Sequence, residues 1–177
     1  MRDAPLTVAL ANAGQVQRPS GARTRLATDP LANAPAASEL LTPFLGRRVT
    51  AAELPALRRL QKEASTIANT LIRGSTPDPR TLNQLAASCL GQLELQINET
   101  GGTNAAIRWL PAPAAATLAR LLIEEVGELD PARLRRCARA DCQLVFYDTT
   151  RPGTQRWHSE SPCGWRERQD RHRQRSA

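Results

Sequence analysis

Cys137-Ala138-Arg139-Ala140-Asp141-Cys142, then His158-Ser159-Glu160-Ser161-Pro162-Cys163, is the stretch that decides how the end of this chain folds. Four residues lie between the members of each pair, and fifteen (143–157) lie between the pairs. Zinc takes four tetrahedral nitrogen or sulfur ligands, and two close pairs on an arm of this length can bend around one ion from two sides. The expected ligands are Cys137, Cys142, His158 and Cys163, holding one structural Zn2+. Four protein ligands leave no open position for a water nucleophile, which argues against zinc catalysis. His172, nine residues beyond Cys163, competes for the fourth position, and the pair spacing favours His158. A disulfide is disfavoured in a chain read as cytoplasmic.

Working outward, Leu144-Val145-Phe146-Tyr147 and Gln155-Arg156-Trp157 flank Asp148-Thr149-Thr150-Arg151-Pro152-Gly153, which reads as a hairpin around a Pro-Gly turn. A knuckle, a hairpin and a helix opening at the last ligand describe a treble-clef-like finger. So short a unit has little core of its own, and the metal would supply much of its folding free energy.

The charge points to the same region. Residues 1–132 hold 13 Lys+Arg and 12 Asp+Glu, whereas residues 133–177 hold 11 Arg and 5 Asp+Glu. Nearly all of the net +7 therefore sits in the last quarter of the chain. Arg identity says less, because 23 of the 24 basic residues are Arg, a bias that a GC-rich genome also produces. A helix is expected from Gly164 to Arg175. At 100° per residue, Arg168, Arg171 and Arg175 fall within about 60° of one another, with Arg166 and Arg173 on the far side. Trp165 is its one apolar side chain, so zinc at Cys163 must anchor it.

The preceding residues read as a helical domain. Thr50-Ala51-Ala52-Glu53 has capping-box spacing, and Leu54, Leu57, Leu60, Ala64, Ile67, Ala68 and Leu71 recur with helical period up to Gly74. A second helix is expected from Asp78 to Leu90, with Leu82, Leu85, Ala86 and Cys89 on its apolar face; Cys89 reads as a small buried hydrophobe. Leu93–Glu99 alternates apolar and polar, Gly101-Gly102 follows, then Ala106–Leu110, the pattern of a hairpin. A third helix spans Ala112 to Val126 with Leu118, Leu121, Leu122 and Val126 inward. The helices are expected to pack on the hairpin. Upstream, Asn12–Ala37 reads as loop with short ordered pieces, held by apolar anchors such as Leu6, Val8 and Leu10, with a short helix over Ser38–Leu45 that Pro43 limits. The fold class is mainly α with a small β component (α+β), divided into residues 1–130 and 131–177.

These features exclude several classes. No apolar run approaches the roughly 18 residues of a membrane span, and the start lacks the apolar region of a secretory signal. A soluble, cytoplasmic protein with no membrane partner is expected. Residues 1–132 contain no histidine, no Gly-rich phosphate loop and no nucleophile motif, and Glu124-Glu125 reads as a solvated helix face. An enzyme is not expected, and no catalytic residue is assigned.

The segment Arg133-Leu134-Arg135-Arg136-Cys137, with Val145-Phe146-Tyr147-Asp148-Thr149, Arg156-Trp157 and Cys163-Gly164-Trp165-Arg166, resembles the CGNR zinc finger. In that family the finger closes an N-terminal ABATE domain, and the proteins are described as stress-induced transcription regulators. Upstream, Leu10-Ala11-Asn12 and Leu82-Asn83 are similar to the family's early Leu-x-Asn segment and helical Leu-Asn pair. There are two departures: Trp157-His158 replaces the usual Trp-Cys, which zinc accepts, and Trp165 replaces the Asn of Cys-Gly-Asn-Arg. The resemblance implies a zinc-finger transcription regulator that binds DNA rather than RNA. Its nucleic-acid contacts are expected at Arg135, Arg136, Arg156, Trp165, Arg166, Arg168, Arg171, Arg173 and Arg175. The N-terminal domain would sense or dimerise, its partners a second copy or a small-molecule or protein effector. The competing function is a protein-interaction module whose zinc is purely structural.

Overall fold

The computed structural model describes residues 5–14 and 29–175. The chain opens with α1 (Leu6–Asn12) and α2 (Ala34–Leu45), followed by a 3-10 turn at Ala51–Glu53 that runs into α3 (Leu54–Ile72). Then come α4 (Arg80–Ala86), the hairpin β1 (Gly91–Ile97) and β2 (Thr103–Trp109), and α5 (Ala114–Glu128). The finger contributes β3 (Leu134–Arg136), β4 (Val145–Tyr147) and α6 (Trp165–Arg175). This is an α+β chain with two small antiparallel sheets. No helix among the described residues is long and apolar enough to cross a membrane.

The apolar stripe on α3 forms as its period requires. Leu57, Leu60 and Ala64 are fully buried, and they pack with Leu6 and Leu10 of α1, Leu41 of α2 and Leu118 and Leu122 of α5. The capping box at Thr50 is present, and Glu53 goes further than its own helix. Its carboxylate accepts from Arg47 Nη2 at 2.6 Å, from the Thr50 N–H at 2.9 Å and from the Ala114 N–H at 3.0 Å. One acid thus closes the starts of two helices.

The stretch read as loop with short ordered pieces over Asn12–Ala37 holds the end of α1 and the start of α2, while its residues 15–28 lie outside the described ones. Four expectations change. α2 begins at Ala34, earlier than Ser38, because the Asn33 side chain caps it by accepting from the Ala36 N–H at 3.0 Å and Pro35 suits a first turn. α4 stops at Ala86, which leaves Cys89 half-buried beyond the helix. Glu125 is not a solvated residue: it accepts from the Leu6 and Thr7 N–H groups, both at 2.6 Å, and from the Thr7 hydroxyl. It therefore fastens α1 to α5. Finally, the helices pack on one another and not on the hairpin, whose residues are exposed apart from half-buried Glu94 and Ala106.

A second, smaller core joins the two parts of the chain. Val8 and Ala11 of α1 and Ala68 of α3 meet Leu134 of β3 and Val145 of β4, with Leu71, Ile72 and Tyr147 at the margin. A fully buried aliphatic side chain of this size contributes roughly 2 kcal/mol. The finger is therefore docked, not merely tethered. Asn12 reinforces the joint by donating from Nδ2 to the Val145 carbonyl at 2.8 Å, while its Oδ1 accepts from the Val145 N–H at 2.9 Å.

Asn12→Ala strands both of those backbone groups, and denaturant unfolding should show a loss of about 2 kcal/mol or more. A second test concerns acid. Arg47 above all, with the Thr50 and Ala114 N–H groups, holds the Glu53 carboxyl down to about 2 from 4.5. A depressed carboxyl stabilises the fold above its unfolded value, and that contribution is lost as pH falls from 4.5 through about 2. Glu53→Gln should flatten the pH dependence of stability in that window, as read by thermal melts.

Candidate metal centre

The site is assembled from backbone turns. The Cys142 N–H donates to the Arg139 carbonyl at 3.0 Å, closing the knuckle, and the Cys137 N–H donates to the Leu144 carbonyl at 2.9 Å. β3 and β4 pair antiparallel across this knuckle, with Leu134 opposite Tyr147 and Arg136 opposite Val145. The sequence had suggested that β4 pairs with Gln155–Trp157. The chain from 149 to 157 is instead a loop, and buried Asp148 shapes it. The Asp148 carboxylate accepts from the Thr150 hydroxyl at 2.6 Å, the Thr150 N–H at 2.9 Å and the Gln155 N–H at 2.8 Å. The Thr150 hydroxyl first, then these N–H groups and the Arg135 charge, hold the Asp148 carboxyl below its usual range. Gly153, at φ +60°, makes the Pro-Gly turn. The loop returns where the Ala138 N–H donates to the Arg156 carbonyl at 2.8 Å, which sets His158 against the knuckle.

Cys137, Cys142, His158 and Cys163 converge, their ligand atoms all within 4.8 Å of one another. His158 Nδ1 lies 3.4 Å from Cys142 Sγ. Zinc–sulfur bonds of about 2.3 Å in a tetrahedron put neighbouring ligand atoms about 3.8 Å apart, so the spacing suits one ion. The electrostatics point the same way. Burial pushes the Cys142 thiol up, and burial together with the neighbouring Cys137 and Cys142 pushes Cys163 up to about 12. Thiols packed this closely become thiolates together only around a cation. Burial lowers the His158 pKa, which keeps the ring neutral and able to ligate. The four residues form a zinc-binding site. Among the described residues His158, not His172, completes it.

Residues 133–176 match the family model described as the CGNR zinc finger. Comparison with curated proteins finds no match. The family's Cys-Gly step has a clear basis in this chain. A Cβ at Gly164 would stand 2.5 Å from Glu160 Oε2, which its side chain can vacate, and 3.0 Å from the Trp157 ring, which would have to give, so glycine lets the last ligand's turn lie close against that tryptophan.

The arginines expected at nucleic acid are placed unequally. Arg135 spans the loop, donating to the Gly153 carbonyl at 2.6 Å and the Gln155 carbonyl at 3.3 Å. Arg136 donates to Gln143 and to Asn69 of α3. Arg156 stands 5.4 Å over the Trp157 ring. Arg168, Arg171 and Arg175 share one open cleft on α6 with His172, as the helical spacing implies. There Arg168 pairs with Glu160, and Arg171 lies 3.2 Å from Glu167. On α6, Arg173 reaches Asp170 at 3.8 Å, Arg166 is half-buried, and Trp165 is exposed at the first helical position.

Arg139 and Asp148 escaped the sequence reading. Arg139, 12% exposed, pairs with Asp141 in the knuckle and reaches Asp170 of α6 at 3.5 Å. Its hydrogen bond to Asp141 does most to hold the guanidinium charged, and Asp170 and Cys163 add to this. That places a fixed cation beside a centre whose three thiolates exceed the ion's charge. Asp148 had a legible signal, an Asp two residues before Thr, the pattern of an Asx-turn.

His158→Ala should release zinc to a chromophoric chelator much faster than the parent while the far-ultraviolet signal of α1–α5 persists. One tightly held zinc in that variant would remove His158 from the ligand set.

Proposed function

We propose that this chain is a zinc-finger transcription regulator that binds DNA through its basic finger, and that it acts in the cytoplasm. The observation that supports this best is α6: an arginine-rich helix with no buried residue, held at its start by a zinc ligand. A helix of eleven residues this polar does not persist alone in water. The turn at Cys163 and the Arg139–Asp170 bridge fix it to the finger, and an exposed arginine-rich helix is the kind of element that enters a major groove.

The acids on this helix do not block such a role. Exposed ion pairs are worth roughly 0–1 kcal/mol, so Arg168 and Arg171 can exchange Glu160 and Glu167 for phosphates at little cost. Arg166, Arg173, Arg175 and Arg156 would add backbone contacts, with counterion release supplying affinity. Trp165 is 54% exposed and is free of core packing, so it can lie against a base or sugar. Arg135 and Arg136 act mainly by fixing the loop and the α3 contact. The helical part, read as an ABATE-like domain, would sense a small-molecule or protein effector or dimerise. No catalytic role is assigned to it.

A gel shift with purified, zinc-loaded protein and genomic DNA fragments should show binding that weakens steeply with salt. The combined Arg171→Ala and Arg175→Ala variant should lower the slope of log affinity against log salt by about one per lost phosphate contact. RNA of the same length should compete poorly. Absence of binding at low salt, with recovery of one nuclease-resistant protein partner, would instead favour the interaction module with a purely structural zinc.

A further inference from the structure

The hairpin has a surface that the finger does not use. Its register sets Leu93 opposite Ile107, Leu95 opposite Ala105, Ile97 opposite Thr103 and Gly91 opposite Trp109, so one face is apolar along most of its length. The other face carries Gln92, Glu94, Gln96, Asn104 and Arg108, with Arg108 donating to Glu94 and Gln92. That is the alternation of a sheet covered on one side. Yet Leu93, Leu95 and Ile97 are 77%, 75% and 74% exposed, and Ile107 is 56% exposed. Arg120 of α5 stands 4.2 Å over the Trp109 ring at the hairpin's base, and the apolar face from Leu93 to the tip is left open. A two-stranded hairpin is marginal in water without a third strand or a packed face.

We infer that this face is a homodimer interface, on which the hairpin of a second copy of the chain lies face to face. Together with Leu90 and Trp109, these side chains expose on the order of 700 Å², against the roughly 800 Å² that each partner of a standard interface buries. A monomer's largest apolar patch is seldom bigger than this. The relief of the face is self-complementary. Toward the tip, β1 is tall at Leu95 and Ile97, whereas β2 is low at Ala105 and Thr103. A two-fold axis along the strands sets the tall row of each copy over the low row of the other, and no charges are brought together.

Other occupants fit less well. Residues 15–28 offer two large aliphatic side chains, Val16 and Leu26, among Arg18, Arg23 and Arg25, too few to cover the face. An anionic lipid surface selects a basic rim, and residues 90–110 carry Glu94 and Glu99 against Arg108 alone.

Sedimentation equilibrium of the zinc-loaded full chain across a wide concentration range tests the assignment. The parent should have the mass of a dimer. Leu95→Glu should raise the dimer dissociation constant more than about a hundredfold, since it would bury an unpaired carboxylate. Its helical signal and zinc content should be unchanged, and Leu93→Lys serves as a second variant should the first fail to fold. Gln96→Glu, on the opposite face, should leave the dimer intact. A parent that is monomeric throughout, a dimer that Leu95→Glu and Leu93→Lys leave intact, or a monomer that sediments with lipid vesicles or with a different protein overturns the assignment.

Discussion

Three thiols and an imidazole gathered within a few ångströms form a centre whose thiols ionise together only around a cation. Burial and mutual repulsion oppose thiolate formation there, and a doubly charged ion reverses the balance. The rest of the finger follows from that constraint. β3 and β4 are three residues each and could not pair on their own, and α6 has no apolar face to hold it. The knuckle, the Asp148 loop and the turn at Gly164 are short structures whose geometry serves to bring four ligand atoms to one point.

The finger is also fixed to the body of the protein. Val8, Ala11 and Ala68 cover Leu134 and Val145, and Asn12 reads both backbone groups of Val145. Glu125 holds α1, so the α5 helix, α1 and β4 form one mechanical series. The hairpin lies outside this series, joined to α5 through Arg120 and Trp109. The apolar hairpin and the basic finger thus attach to different helices of the core.

Much of this could be read from the residues, where a local rule sufficed. The α3 stripe, the Thr50 capping box, the Leu93–Glu99 alternation and the Cys/His pairs each encode their structure in short-range spacing. Errors arose where a partner distant in sequence decides the outcome. Glu125 looked solvated because the N–H groups that it caps are more than a hundred residues away. β4 was assigned the wrong partner because Asp148, not strand propensity, dictates the path of the following loop. The hairpin itself was legible, but its isolation from the helices was not, since alternation reports that a face wants cover and not what covers it.

The sequence by itself determined the three cysteine ligands and a preference for His158 as the fourth, the basic helix that follows the last ligand and the helical character of the N-terminal part. These depend on residue type and spacing along one strip of chain. Only the tertiary structure decided that His158 rather than His172 closes the site, that Arg135 and Arg136 are bound to the protein's own carbonyls and amides, and that the finger is docked on α1 and α3. Those outcomes rest on distances between residues far apart in the chain, which no local period encodes.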